Sequence, residues 1–171
     1  MNRISWKLLI FYFVGYVILQ IPLLHKFVLF DVAFSFFYLG FLLFFPLGQN
    51  PILRLTAGFL TGLFIDLFSN TPGLHACVCT FIMLFRDTWL RFILEYEEGA
   101  LDMNIYILKM RGVWLYILPL IFIHHIMVFW INYGSWMGLF LTFDRILAST
   151  IFSFLSILLI NLVISKKPSR I

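Results

Sequence analysis

The chain has 171 residues, of which 63% are hydrophobic and 12% charged, and its mean hydropathy is +1.02. A soluble domain carries roughly 25% charged residues, so this composition excludes a water-covered globule. The net charge of +4 comes from 12 basic residues spread thinly beside hydrophobic runs, a placement that orients membrane helices and does not suggest nucleic acid.

A membrane-spanning helix needs roughly 20 apolar residues, and hydropathy predicts six such helices. Helix one covers 8–24. Met1–Lys7 before it resembles the start of a signal peptide, but the apolar run is long and no small-x-small cleavage site follows. It therefore reads as an uncleaved helix. His25 and Lys26 break the chain, and the phenylalanine-rich helix two runs over 27–47. Asn50 is a good N-cap and Pro51 a good first residue for helix three, 51–68. The turn signal Ser69-Asn70-Thr71-Pro72-Gly73 leads to helix four, 74–94. Glu95–Arg111 is the most polar stretch. Helix five covers 113–133 and helix six 145–165, followed by a basic tail. Gly134-Ser135-Trp136 and Gly138 mark a break between them. Met137–Phe143 reads either as an extension of helix six or as a short re-entrant piece. The expected fold is an all-α integral membrane protein with a single transmembrane domain over 1–171.

Six crossings put both termini on one side. Arg3, Lys7, Arg54, Arg86, Arg91, Lys109, Arg111, Lys166, Lys167 and Arg170 fall on that side, and Lys26 and Arg145 on the other. The positive-inside rule then places both termini in the cytoplasm. Arg86 lies some way into helix four, and its long side chain is expected to snorkel to the cytoplasmic interface. Asp87 and Arg91, at i and i+4, are expected to pair.

Helix three carries the most informative pattern. Arg54, Gly58, Gly62 and Asp66 follow one another at i+4, and each such step drifts only about 40° around the helix, so all four share one face. Gly58 and Gly62 form a GxxxG pair, which lets another helix approach closely in lipid. Asp66 sits near the outer end of the span, where a carboxylate must be paired, protonated or wet. Its candidate partners are Arg145, Lys26 and His75. Gly73 and His75 shape the turn that follows.

Other constellations carry less chemistry. His124 and His125 form one pair in helix five, whereas a metal site needs three or four convergent ligands. They read as a hydrogen-bonding pair at a helix interface, with Asn132 or the serines of helix six as partners. Ser149, Ser153 and Ser156 line one face of helix six and suit interhelical hydrogen bonds. Cys77 and Cys79 face different directions and read as small packing residues, not a disulfide or metal pair. Glu97-Glu98 reads as a solvated acidic loop. No phosphate loop and no nucleophile elbow occur. No catalytic residue, cofactor or metal is expected.

The run Gly58-Phe59-Leu60-Thr61-Gly62-Leu63-Phe64-Ile65-Asp66, followed by Pro72-Gly73-Leu74-His75-Ala76, resembles the signature stretch of the rod-shape-determining MreD family. In that family a Gly-x-x-x-Gly-Leu-x-x-Asp run closes one helix, and a Gly-hydrophobic-x-Ala element opens the next. The Pro51 helix start, the chain length, the six spans, His124-His125 and the basic tail are also similar. The resemblance implies a non-enzymatic subunit of the cell-elongation machinery in the bacterial inner membrane. Its implied partners are MreC, the actin-like MreB filament, and the synthase formed by RodA and a class B penicillin-binding transpeptidase. It also implies a fold like the substrate-binding S components of energy-coupling-factor transporters. The alternative is such a vitamin-binding component itself. That would need an outward-facing pocket, to which Asp31, Asp66, His75, Asn132 and Asp144 could contribute.

Overall fold

The computed structural model of the chain describes residues 6–21, 28–30, 32–47, 49–94 and 109–164. Helix α1 (Trp6–Phe13) continues as a π-helical turn over Val14–Ile18. Strands β1 (Val28–Leu29) and β2 (Ala33–Phe34) follow, then the short helix α2 (Tyr38–Leu43). The long helices are α3 (Pro51–Ser69), α4 (Leu74–Leu94), α5 (Lys109–Tyr133) and α7 (Phe143–Ile164). A short helix, α6 (Trp136–Leu141), bridges the last two. Lys26, Asp31, the acidic pair Glu97-Glu98 and the basic tail Lys166–Arg170 lie outside the described residues.

Among the described residues, three helices are long and apolar enough to cross a membrane: Pro51–Ser69, Gly112–Tyr133 and Phe143–Leu162. Their outward faces carry large apolar side chains. Ile52 and Leu67 on α3 are each 74% exposed, and Leu159 on α7 is 66% exposed. Continuous apolar surface of this kind is a liability in water and the normal covering in lipid. The chain is a largely helical membrane protein. Helix α4 is equally long but carries Arg86, Asp87 and Arg91.

The helix ends follow local chemistry. The Asn50 side chain accepts the Ile52 N–H at 2.9 Å, and Pro51 fills the first helical position, where its missing N–H is no loss. Asn70 closes α3 in the left-handed conformation, φ 55°. Gly134 breaks the chain after α5 with φ 64°. Met137–Phe143 does not simply extend the last helix. It divides between α6 and the start of α7.

Two expectations are corrected. The helix predicted over 27–47 does not form as one piece. Its first part is an antiparallel hairpin, with Val28 opposite Phe34 and Leu29 opposite Ala33. Its second part is α2, all six residues of which are buried. A short apolar run rich in valine and phenylalanine fits a strand as well as a helix. Extended backbone inside a membrane bundle must find hydrogen-bond partners outside its own segment. Here α7 supplies them. Ser149 Oγ accepts the Phe34 N–H at 2.9 Å, and Ser153 Oγ accepts the Phe36 N–H at 3.0 Å. The Gln20 side chain closes the other flank, accepting from Phe37 N at 2.5 Å and donating to Ser35 O at 2.8 Å.

The second correction concerns Arg86. Its side chain does not reach the interface; the residue is 0% exposed. Helix α2 ends inside the protein, and the last carbonyls of a helix have no partners of their own. Arg86 donates to the carbonyls of Leu42, Phe45 (2.7 Å) and Pro46 (3.4 Å), and the Tyr116 hydroxyl donates to Leu43 O at 2.9 Å. A cation at the negative end of a helix is favourable as well. Asp87 pairs with Arg86 Nε at 2.7 Å and with Arg54.

Candidate functional site

The stripe on α3 packs against α4, and this is the largest contact between the described elements. Gly58 and Gly62 are both buried. A Cβ at Gly58 would meet Met83 Cγ at 2.7 Å and the Cys79 carbonyl at 3.0 Å. A Cβ at Gly62 would collide with the His75 carbonyl and with Ala76 Cα, all of it backbone. The helices therefore approach to backbone distance at Gly62. Cys79 is buried and Cys77 exposed, as their offset on the helix requires.

Polar anchors hold each end of this apolar seam. At one end Arg54 of α3 pairs with Asp87 of α4. At the other, Asp66 is buried, at 3% exposure. Its carboxylate accepts from Thr71 Oγ1 at 2.8 Å, His75 N at 2.9 Å and Ala76 N at 2.9 Å. Those two amides belong to the first turn of α4, which has no intrahelical acceptors for them. Asp66 thus caps α4 from a distance, and its charge favours the positive end of that helix. Its backbone carbonyl receives the Asn70 and Thr71 N–H groups. One residue closes α3 and opens α4. Gly73 completes the turn at φ +82°, where a Cβ costs roughly 1–2 kcal/mol. Asp66 draws on His75 through its main chain. Arg145 makes no ion pair with it among the described residues.

The His75 side chain joins a second assembly. The Tyr38 hydroxyl lies 2.8 Å from His75 Nδ1 and 2.8 Å from His124 Nε2. One hydroxyl proton serves one ring, so the other ring must donate to the hydroxyl oxygen. His124 Nδ1 has no partner among the described residues, and an orphaned buried lone pair is tolerated better than an orphaned N–H. The favoured arrangement has Tyr38 donating to His75, and His124 Nε2–H donating to Tyr38. His125 turns the other way. Its Nδ1–H donates to Ile121 O at 2.8 Å, and its Nε2 lies 3.3 Å from Ser153 Oγ. The expected partnership with helix-six serines is present, through Ser153. No cluster of three or more potential metal ligands occurs among the described residues.

These elements surround a cavity of about 260 Å³. Its deeper wall includes Gln20, Ser35, Tyr38 and His75. Its rim is built from helix ends: Ser69 and Thr71 after α3, Asn132 and Tyr133 at the end of α5, and Arg145 at the start of α7. His75 and Asn132 line it, whereas Asp66 is committed to its cap and Asp144 stands outside the wall. Gln20, Ser35 and Tyr38 were not singled out in the sequence. Gln20 carried a signal, as the polar residue within an apolar helix-one run. Among known proteins, no family model, no curated protein and no solved structure matches the chain.

Proposed function

We propose that the chain is a non-enzymatic scaffold of the bacterial cytoplasmic membrane. It crosses the bilayer six times with both termini in the cytoplasm. It helps recruit or stabilise MreC and the peptidoglycan synthase of the rod-shape machinery, with MreB, RodA and a class B transpeptidase as further partners. One observation supports this reading best. The residues that carry the resemblance to the MreD family, Gly58, Gly62, Asp66, Gly73 and His75, form one continuous helix–turn–helix contact. A fixed α3–α4 unit presents outward faces of constant shape. The exposed apolar residues Ile52 and Leu67 of α3 and Phe81 and Leu84 of α4 lie on such faces, open to lipid or to partner helices.

Depletion in the source bacterium tests the proposal. Cells that lose the chain should stop elongating, round up and lose membrane-associated MreC. Depleted cells that keep elongating with normal MreC levels would rule the scaffold reading out.

A further inference from the structure

We propose that helix α6 is an in-plane membrane anchor: it lies in the boundary between lipid headgroups and acyl chains, and lipid covers its outer face. This goes beyond the scaffold reading and holds whichever side of the bilayer α6 stands on.

Chain length fixes the depth. The apolar stretch of α5, Gly112–Tyr133, has 22 residues, and that of α7, Phe143–Leu162, has 20. At about 1.5 Å per residue these are about 33 Å and about 30 Å long, close to the thickness of the hydrocarbon core. Tyr133 and Phe143 therefore both come to its boundary. Only Gly134 and Ser135 separate α6 from α5, and only Thr142 separates it from α7. The helix has six residues, and at about 9 Å it is too short to cross the core. It is thus tethered at both ends to the boundary. Local side chains serve its backbone there. Ser135 Oγ accepts the Gly138 N–H at 3.0 Å, and Thr142 Oγ1 donates to Gly138 O at 2.9 Å. Fewer of its terminal groups then need water.

The outer face then specifies the partner. Trp136, Met137, Phe140 and Leu141 stand at i, i+1, i+4 and i+5, within about 140° of the helix circumference. Each is at least 69% exposed. Gly138 lies on the other side, where a Cβ would meet Tyr133 Cβ at 2.7 Å. That side is seated on the end of α5, and the four large apolar side chains point away from it. The stretch 134–143 carries no charged residue, so it offers nothing to steer a charged soluble partner. Such a face is a liability in water, whereas an in-plane helix buries it about 5–10 Å into the headgroup–acyl boundary. Tryptophan and tyrosine gather at that depth. The rings of Trp130 and Trp136 lie 4.8 Å apart, and Tyr133 is exposed at the end of α5. A second element reaches the same end. Phe34 bonds to Ser149 and Phe36 to Ser153, so β2 runs alongside α7 in the same direction. The hairpin turn therefore lies toward the start of α7, and it presents an exposed Phe30.

Tryptophan quenching tests this on the full chain in phosphatidylcholine nanodiscs, which leave both faces open to water. Trp130→Phe is compared with the double variant Trp130→Phe, Trp136→Phe, so that the difference in emission belongs to Trp136. Both rings are exposed, and both proteins should keep the parent's melting temperature. Bromine placed high on the acyl chains should quench the difference at least about twofold more than bromine near the chain ends, as a shallow in-plane position requires. Iodide in the water should quench it less than about half as well as it quenches free tryptophan. Phe140→Trp, added to the double variant, should report the same profile from a second position. Iodide quenching equal to that of free tryptophan would place α6 in water and overturn the proposal in favour of a soluble partner. Strongest quenching by the deep bromine would overturn it in favour of a re-entrant piece. Quenching by neither bromine nor iodide would overturn it in favour of a second copy of the chain covering the face.

Discussion

Gly62→Leu should abolish accumulation of a monodisperse protein in detergent, and with it any rescue of depleted cells. The added side chain meets the His75 carbonyl and Ala76 Cα, which are backbone atoms at the start of α4. A flexible side chain in the way can rotate, but these atoms move only if the whole helix moves. Overpacking a core costs typically about 1–3 kcal/mol when neighbours can adjust, and here they cannot. Moving α4 also pulls its first amides off Asp66. Two defects then follow from one substitution.

Gly58→Ala supplies the graded comparison. Its Cβ meets Met83 Cγ first, and methionine adapts easily. Gly58→Ala should therefore remain monodisperse with a modest fall in melting temperature, and Gly62→Ala should fall further. Size-exclusion profiles and thermal melts of the three variants give the order. A Gly62→Leu protein that elutes normally, restores rod shape and co-purifies with MreC would show that the seam does not hold α3 to α4.

Arg86→Met should be nearly as damaging, for a different reason. Methionine fills a similar volume but donates nothing to the carbonyls of Leu42 and Phe45. Each buried group left unpaired costs about 1–3 kcal/mol, so two of them remove a large part of a typical domain's 5–15 kcal/mol. Asp87 keeps Arg54 as a partner, so the loss falls mainly on the end of α2. Arg86→Lys keeps a charge but not the planar fork, and its stability should lie between those of the parent and Arg86→Met. Thermal melts in detergent check the order. An Arg86→Met protein as stable as the parent would mean that the side chain reaches the interface after all.

The parts of this fold that could be read from sequence are those with local causes. Asn50-Pro51, the Ser69–Gly73 turn and Gly134 mark ends at or beside the chain positions they govern, and α3, α4 and α5 begin or end there. The stripe from Arg54 to Asp66 was legible because its four members share one helix face. Only half of Asp66's role was legible. A carboxylate suggests charged partners, and the amides it caps look like nothing in a sequence. The hairpin at 28–34 escaped because its backbone partners, Ser149 and Ser153, lie more than a hundred residues away. The role of Arg86 is hidden for a related reason. Without knowing that α2 ends against α4, a basic residue in an apolar run reads as one bound for the interface. The cavity draws its wall from six separate stretches, and no local pattern announces it.

The direction of threading is the claim on which the scaffold reading depends, and reporter fusions measure it directly. Thr71 lies in the α3–α4 turn and Ser135 in the break after α5. Fusions at these two positions should report the periplasm, and fusions at Gly99 and Ser169 the cytoplasm. Thr71 and Ser135 reporting from opposite sides, or both from the cytoplasm, would contradict the six-crossing arrangement.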